Sequence, residues 1–470
     1  MIRFFDDQPL ESRINFNRRL GQARLIRDSE YHDPSDYPLC GGLPSVFWHD
    51  ERQEYVMIYT LLEPDEIGLG IIQCAAHSTD AVHWEPLDTR GFADYPDRRL
   101  FNQVFPECEG EAWVYKDERA VPEERYKLFY FRYVFDEPRE KGEMHVSDEL
   151  FVSPDAFHWT KLPGTWNGNG AEPGIGCCYS PLKRSYIISC RPHWCDRRVC
   201  IVETKDWRHF TEPLIAVQTD ALDPPLAEAY GMPIFEIEDR TVGLLWILEE
   251  PLGADKAAVG NMIISAGGRM APQLVYSDNG VFYLRSLREP FLRQGDPDSP
   301  DYGSLFASSL LKRNDGTWLI TAAASACGHG GFRLRGNGSI LTYAMTADRW
   351  IYLESNGPGV LQTLDLVINE DMFINAHVYG SLRFQLVDHA GTPIQGFTYK
   401  DCDVFCGNDT HRVLSWDGKT ASALLGQVVK LQITLDGGRL YSIGGATVIG
   451  YSQMRHYLAY GETPKEPLIR

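Results

Sequence analysis

Glutamates recur just ahead of the stretches that look like new strands. Glu109 and Glu111 stand in Glu109-Gly110-Glu111, Glu172 in Ala171-Glu172-Pro173-Gly174, and Glu228 in Ala227-Glu228-Ala229-Tyr230. Asp301, followed by Tyr302 and Ser304, opens a further run, while Asp33 and Asp36 lie in a loop before the first one. Carboxylates drawn from separate stretches can break a glycosidic bond. One must be protonated to help the leaving oxygen depart, and another ionised to activate water or attack the anomeric carbon. Crowding like charges raises one pKa and leaves another low, which supplies both states at neutral pH. Two further clusters could hold a ligand. In Arg191-Pro192-His193-Trp194-Cys195-Asp196-Arg197-Arg198, the arginines suit a carboxylate or phosphate and the Trp a sugar face. In Cys327-Gly328-His329-Gly330-Gly331, a His on a glycine-rich loop can reach hydroxyl groups. The plain alternative is that these are solvated loop residues, because acids outnumber bases 65 to 45. It weighs most on Asp36, since Asp and Pro are ordinary loop formers.

A repeating phrase shows what must position these groups. It reads Ser78-Thr79-Asp80-Ala81-Val82-His83-Trp84, then Ser153-Pro154-Asp155-Ala156-Phe157-His158-Trp159, then Thr204-Lys205-Asp206-Trp207-Arg208-His209-Phe210. Looser copies are Ser277-Asp278-Asn279-Gly280-Val281-Phe282 and Thr346-Ala347-Asp348-Arg349-Trp350. Each joins a polar residue, an Asp, a turn and an aromatic, as a cap between two strands would. Around each copy lie short runs rich in β-branched and aromatic residues, so each unit reads as four antiparallel strands. Five units predict an all-β five-bladed β-propeller over residues 39–354. The phrase marks the passage from third to fourth strand on the outer side. The candidate acids then fall at the starts of the innermost strands, around a central funnel.

Beyond Trp350 the phrase stops. Ser381–Val387 and Val428–Leu435 alternate cleanly, and Asp417-Gly418 and Asp436-Gly437-Gly438 are hairpin-turn signals. A β-sandwich is expected over 355–450, with 1–38 wrapping the main domain and 451–470 a surface tail.

Composition excludes several roles. A net charge of -20 argues against nucleic acid or an anionic membrane surface as partner. No apolar run is long enough to cross a bilayer, and the first residues lack a basic stretch followed by an apolar one. A cytoplasmic setting with reduced thiols is therefore expected. The eleven cysteines lack paired ligand spacing, so no metal is expected, and Cys177-Cys178 should pack on opposite faces of a strand.

A five-bladed propeller followed by a β-sandwich resembles the invertase, levanase and arabinanase group, the glycoside hydrolases of families 32 and 43. Gly42 to Asp50 leading into Tyr55–Tyr59, Glu124–Leu128 leading into Ser153–Trp159, Tyr230-Gly231-Met232-Pro233, Gly391–Phe397 and Leu440-Tyr441-Ser442 are similar to its bacterial branch. The resemblance implies that Glu172 is the general acid. Glu111 would be the base, the nucleophile or a pKa-tuning partner. Glu228 would be a second catalytic carboxylate or hold a sugar hydroxyl. Substrate contacts would come from Asp36, Glu109, Arg191, His193, Tyr230, Asp301 and His329. One departure is plain: where these enzymes carry an Asn-Asp-Pro-Asn motif, this chain has Cys40-Gly41-Gly42-Leu43, and Glu109-Gly110-Glu111 replaces their Arg-Asp-Pro. The expected activity is exo-acting hydrolysis of a small oligosaccharide or glycoside, a fructoside or other furanoside among the candidates, with no cofactor. The alternatives are a glycoside phosphorylase and a carbohydrate-binding propeller without catalysis. A small carbohydrate is the expected partner, and a homo-oligomer is left open.

Overall fold

Among its described residues, the computed structural model is all-β apart from two short 3-10 turns. It describes the chain except residues 40–42, 64–69, 96, 109, 136–143, 165–171, 182, 192–196, 239, 250–255, 260–261, 266–267, 330–337 and 451–470. Of a few flanking strand residues, Glu172 among them, it describes only the backbone. No helix among the described residues is long and apolar enough to cross a membrane. The chain divides into two compact units, Ala23–Thr346 and a discontinuous one made of Met1–Gln22 with Ala347–Arg470.

Within 23–346, antiparallel sheets follow one another in chain order. The first is Ser45–His49, Glu54–Glu63, Gly70–Ser78 and Glu85–Pro86; the second runs from Gly110–Lys116 to Thr160–Lys161 and the third from Glu172–Ser180 to Leu214–Val217. The fourth set begins with Ala227–Gly231 and Ile234–Ile237, which both pair with Arg240–Glu249, followed by Arg269–Ser277. The fifth is Ser304–Lys312, Thr317–Ser325 and Gly338–Thr346, joined to the fourth by a parallel bridge from Met270 to Ser304. Its outer partner is Arg24–Leu25, from the start of the chain.

Each set is tied to the next by buried polar groups, which satisfies donors that a dry interface would otherwise orphan. Ser45 Oγ accepts the Val114 N–H at 2.9 Å, joining the first and second. Asp117 accepts the Tyr186 hydroxyl at 3.1 Å and the Trp207 indole N–H at 3.2 Å, joining the second and third. The Ser189 hydroxyl donates to the Met232 carbonyl, and the Trp246 indole N–H to the Ala307 carbonyl at 3.0 Å. The Val46 N–H donates to Ser309 Oγ at 2.9 Å, so the fifth is tied back to the first. The Asp117 cluster also encloses Lys127, whose side chain is fully buried 3.7 Å from the Asp117 carboxylate and 5.0 Å from the Trp207 ring. Burial pushes the Lys127 pKa down, and the charge of Asp117 pulls partly the other way.

In the first three sheets the recurring phrase does sit between third and fourth strands, whereas the fifth copy leads from Gly338–Thr346 into Ile351–Thr363 of the second unit. Asp80 Oδ1 accepts the N–H groups of Val82 and His83 at 2.8 and 2.9 Å, and His83 Nδ1 lies 2.7 Å from its other oxygen. Asp155 with His158 and Asp206 with His209 repeat the arrangement. The residue after each Asp takes a left-handed backbone, with φ of 60° at Ala81, 64° at Ala156 and 60° at Trp207. In the fourth copy the capping acceptor is Asn279, not Asp278: Asn279 Oδ1 takes the Val281 and Phe282 N–H groups, while Asp278 pairs with Arg240 at 2.9 Å. Gly280 supplies the left-handed position there, at φ 69°.

Among the described residues, the second unit has a sheet of seven strands and a two-stranded hairpin, Ser415–Trp416 with Lys419–Thr420. Ile351–Thr363, Leu366–Val387 and Val428–Val448 are long and lie side by side. The last two run in opposite senses, from Phe373 opposite Gly444 to Val387 opposite Lys430. Residues 1–22 do not wrap the main domain as expected. Ile2–Arg3 pairs with Val428–Val448, and Leu10–Ile14 and Asn17–Leu20 pair with Ile351–Thr363. Asp417-Gly418 forms the expected two-residue hairpin turn, with φ of 46° and 77°. Asp436-Gly437-Gly438 does not turn the chain back. Both neighbouring strands continue past it, since Leu435 faces Gly359 and Leu382 while Gly438 faces Ser355 and Val378, so the strand bends and goes on.

Candidate functional site

The first strands of the third and fourth sheets are irregular where the candidate residues lie. Between Glu172 and Gly176 the register against Ser185–Arg191 shifts, and a second shift falls at Tyr230, between Ala229 and Gly231. Bulges of this kind re-aim side chains at strand ends. Along Ala227–Gly231 burial alternates, so Glu228 and Tyr230 share the more open face while Ala227, Ala229 and Gly231 are buried. The first strand of the third sheet also comes close to the start of Ile234–Ile237. A Cβ on Gly176 would meet the Ile234 backbone nitrogen and lie 2.7 Å from Pro233 Cα, so only glycine allows this spacing.

Tyr230 is the hub. Arg191 closes a strand buried along its whole length and is itself 6% exposed. Its guanidinium lies 4.4 Å from the Tyr230 ring centre, and its Nη1 donates to the Tyr230 carbonyl at 2.9 Å. Arg197 lies 5.0 Å from the same ring and forms an ion pair with Glu228. The His329 ring meets Tyr230 edge-on at 4.6 Å, and the Phe306 ring does so at 6.1 Å. The His329 loop is held by its own N–H, which donates to the Gly268 carbonyl at 2.6 Å. Such cation–π contacts are each worth roughly 0.5–2 kcal/mol, more as water is excluded. The Arg197–Glu228 pair is about one-third exposed on each side and contributes at most about 1 kcal/mol. Beside it opens a cleft of about 460 Å³ whose lining includes Arg197, Arg198, Gln218, Thr219, Leu226 and Glu228.

Four of the expected site residues therefore come together: Arg191, Glu228, Tyr230 and His329. Glu172 opens its strand directly opposite Arg191 in the ladder. Glu109 and His193 lie outside the described residues. Glu111 is half-buried in the first strand of the second sheet, opposite Phe131, which in turn faces Asp148 on the third strand. Asp148 is 1% exposed, and its charge adds to burial in pushing the Cys190 thiol pKa up, next to Arg191 in the chain. Sequence reasoning missed Asp148. An acid in an otherwise strand-like run, Val146-Ser147-Asp148-Glu149-Leu150, was its only signal.

Two expected residues stand elsewhere. Asp36 is exposed, and no hydrogen bond or ion pair joins it to these groups among the described residues. Asp301 is 3% exposed and takes the Tyr343 hydroxyl at 2.9 Å, the Ser299 hydroxyl at 2.6 Å and the Gly295 N–H at 3.2 Å. Those three donors make it an anchor for its own loop rather than a ligand contact. The acid that reaches the first sheet is Asp33. It accepts the Tyr59 hydroxyl, the Asn102 amide at 2.9 Å and the Ser35 N–H at 2.8 Å, and Tyr31 lies 2.9 Å from the Tyr59 oxygen. Burial above all pushes the Tyr59 hydroxyl pKa well up, so it stays a donor to Asp33.

Cys177 and Cys178 are both buried, each with its thiol pKa raised by burial. They belong to different core clusters, as residues on opposite faces should. No group of three or more metal-ligating side chains occurs among the described residues.

No protein-family model matches the chain, and no curated protein does. Solved structures that it is similar to include a glycoside hydrolase, 13% identical with a TM-score of 0.44, covering 71% of this chain and 94% of that one. An N-acetylgalactosamine deacetylase from F. plautii is also 13% identical, with a TM-score of 0.43 and coverage of 72% and 97%. A family 32 β-fructofuranosidase from Bombyx mori is 11% identical, with a TM-score of 0.39 and 94% of each chain covered. At such low identities and TM-scores the likeness says nothing of activity, substrate or site residues.

Proposed function

We propose that this chain is a glycoside hydrolase, exo-acting on a small oligosaccharide or glycoside. Its main unit is read as a five-bladed β-propeller, closed by the pairing of Arg24–Leu25 with Gly338–Thr346 and by the ties that lead from each sheet to the next. The seven-stranded unit with its long bent strands is read as a β-sandwich whose strands pass from one layer to the other at the bends. The observation that carries the functional reading is the gathering of Arg191, Arg197, Glu228 and His329 on Tyr230, beside the strand that Glu172 opens.

In this reading the Tyr230 and His329 rings and the Glu228 carboxylate hold the sugar. Glu172 protonates the leaving glycosidic oxygen. A second carboxylate, Glu111, activates water or attacks the anomeric carbon, and buried Asp148 in the same row of the sheet helps set its proton affinity. Asp33 fills the place of a first-sheet acid, where the chain lacks the motif of the enzymes it resembles.

The test is turnover of a panel of nitrophenyl glycosides and short fructans by the native chain, Glu172→Gln and Glu111→Gln. Each variant should lose about 10²–10⁴-fold in kcat. For Glu172→Gln the loss should be smaller on nitrophenyl substrates, whose leaving group needs little protonation. Full activity in Glu172→Gln on a natural linkage would remove its general-acid role. No turnover of any glycoside, with sugar binding retained, would favour the non-catalytic carbohydrate-binding reading.

A further inference from the structure

The cleft beside Tyr230 is built for charge as well as for a sugar. Arg197, Arg198 and Glu228 are the charged side chains that line it among the described residues, and Arg191 lies at the Tyr230 ring. Arginine stays charged at every working pH and presents a planar fork that matches an oxyanion. Arg197 already grips a carboxylate, that of Glu228. The pair is partly solvated, so a ligand's oxyanion can exchange with it at little cost. Gln218 and Thr219 add neutral hydrogen-bonding groups to the same wall, and about 460 Å³ suits one or two sugar rings.

We propose that the glycoside taken by this site is anionic, with a carboxylate, sulfate or phosphate group seated against Arg197 and Arg198. The inference rests on the glycosidase reading and narrows its substrate class. A neutral glycoside would gain only hydrogen bonds to its hydroxyls from two guanidinium groups on the wall, whereas an oxyanion gains stronger, charge-assisted ones.

The experiment measures binding to the full chain by calorimetry and thermal shift. The probes are D-glucuronate, D-galacturonate, glucose 6-phosphate, glucose 6-sulfate, inorganic phosphate and neutral D-glucose, each at low and high salt. At least one anionic sugar should bind about tenfold or more tighter than glucose, and salt should weaken it. Arg197→Gln and Arg198→Gln, both at partly solvated positions, should each lose that preference. A uronate preference assigns the oxyanion to the substrate's own carboxylate, and a sulfate or phosphate-ester preference to those groups. Inorganic phosphate binding alone assigns it to a free co-substrate and overturns the anionic glycoside. Equal binding of glucose and the anionic sugars overturns the proposal, as does binding of no probe. So does a preference that survives both arginine substitutions, or a salt-independent affinity in the native chain. Turnover separates the two readings. Cleavage of neutral nitrophenyl glycosides with no gain for the glucuronide defeats the anionic class and leaves the glycosidase standing. Arginine-dependent anion binding without cleavage of any glycoside defeats the glycosidase and leaves the oxyanion site.

Discussion

Removing the charge of Asp117 should expose how much of the main unit's stability depends on one buried junction. Asp117 and Lys127 are both fully buried, 3.7 Å apart, and Asp117 also takes the Tyr186 hydroxyl, the Trp207 indole and the Arg119 N–H. Lys127 in turn donates to the Glu124 carbonyl. Breaking a buried ion pair from one side costs about 3–5 kcal/mol, because the remaining charge has lost its partner. Asp117→Asn keeps an acceptor for Tyr186 or Trp207, which places it near the lower end, about 3 kcal/mol. Lys127→Met leaves Asp117 three donors and should cost about 2–3 kcal/mol. In the double variant neither charge is stranded, so the loss should again be about 3 kcal/mol rather than the sum. The coupling is then on the order of 2 kcal/mol. Urea unfolding of the four proteins, with hydrogen exchange of Tyr126–Phe135 and Ser185–Arg191 as a local readout, measures it. Single effects that add to within about 0.5 kcal/mol would refute the reasoning, since independent sites behave that way.

Gly176→Ala should push Glu172–Ser180 away from the start of Ile234–Ile237, lowering stability by about 1–3 kcal/mol. A shift of about 1 Å between Glu172 and Tyr230 would cut turnover by up to about 10²-fold, while Gly91→Ala, where a Cβ meets nothing within 4 Å, should change neither stability nor rate. Ala156→Gly relieves a left-handed alanine at φ 64° but loosens the unfolded chain, so its unfolding free energy should change by less than about 1 kcal/mol; a loss of 2 kcal/mol or more would contradict the strain argument. Asp155 has a lowered pKa: burial raises it, but the His158 ring and the N–H groups of Phe157 and His158 outweigh burial. Its stabilisation is complete above the unfolded value of 3.8 and is lost as pH falls through the lower folded value. Melting temperatures measured from pH 6 downward should thus fall less steeply in Asp155→Asn than in the native chain, and parallel curves would count against this.

What was legible in the sequence was local. The phrase around Asp80, Asp155 and Asp206 works through hydrogen bonds that span three residues, so its turn could be read from neighbours alone. Tyr230 and Glu228 were readable for the same reason: they alternate with small apolar residues on one short strand. Asp148 and Arg197 were harder, because their partners come from other sheets and no spacing announces such a contact. Asp33 and Asp36 look alike as loop acids, and only the fold decides which of them meets Tyr59. Asp301 misled because one of its donors, Tyr343, arrives from another strand. The first 22 residues misled because short polar strands such as Leu10–Ile14 show no strong alternation, and their partner lies more than 300 residues later. At Asp436-Gly437 a turn signal was overridden by two neighbouring strands that ran on past it.

That long-range pairing has a consequence for synthesis. Strands Leu10–Ile14 and Asn17–Leu20 leave the ribosome early, yet the edge they complete, Ile351–Thr363, follows only after the whole 23–346 unit. At about 5–20 residues per second, the interval is on the order of tens of seconds. Throughout it, these segments offer open backbone edges to any passing strand. Their sequence suits the wait: Glu11, Arg13, Arg18 and Arg19 put a charge on nearly every second position, which discourages premature pairing until the proper partner emerges.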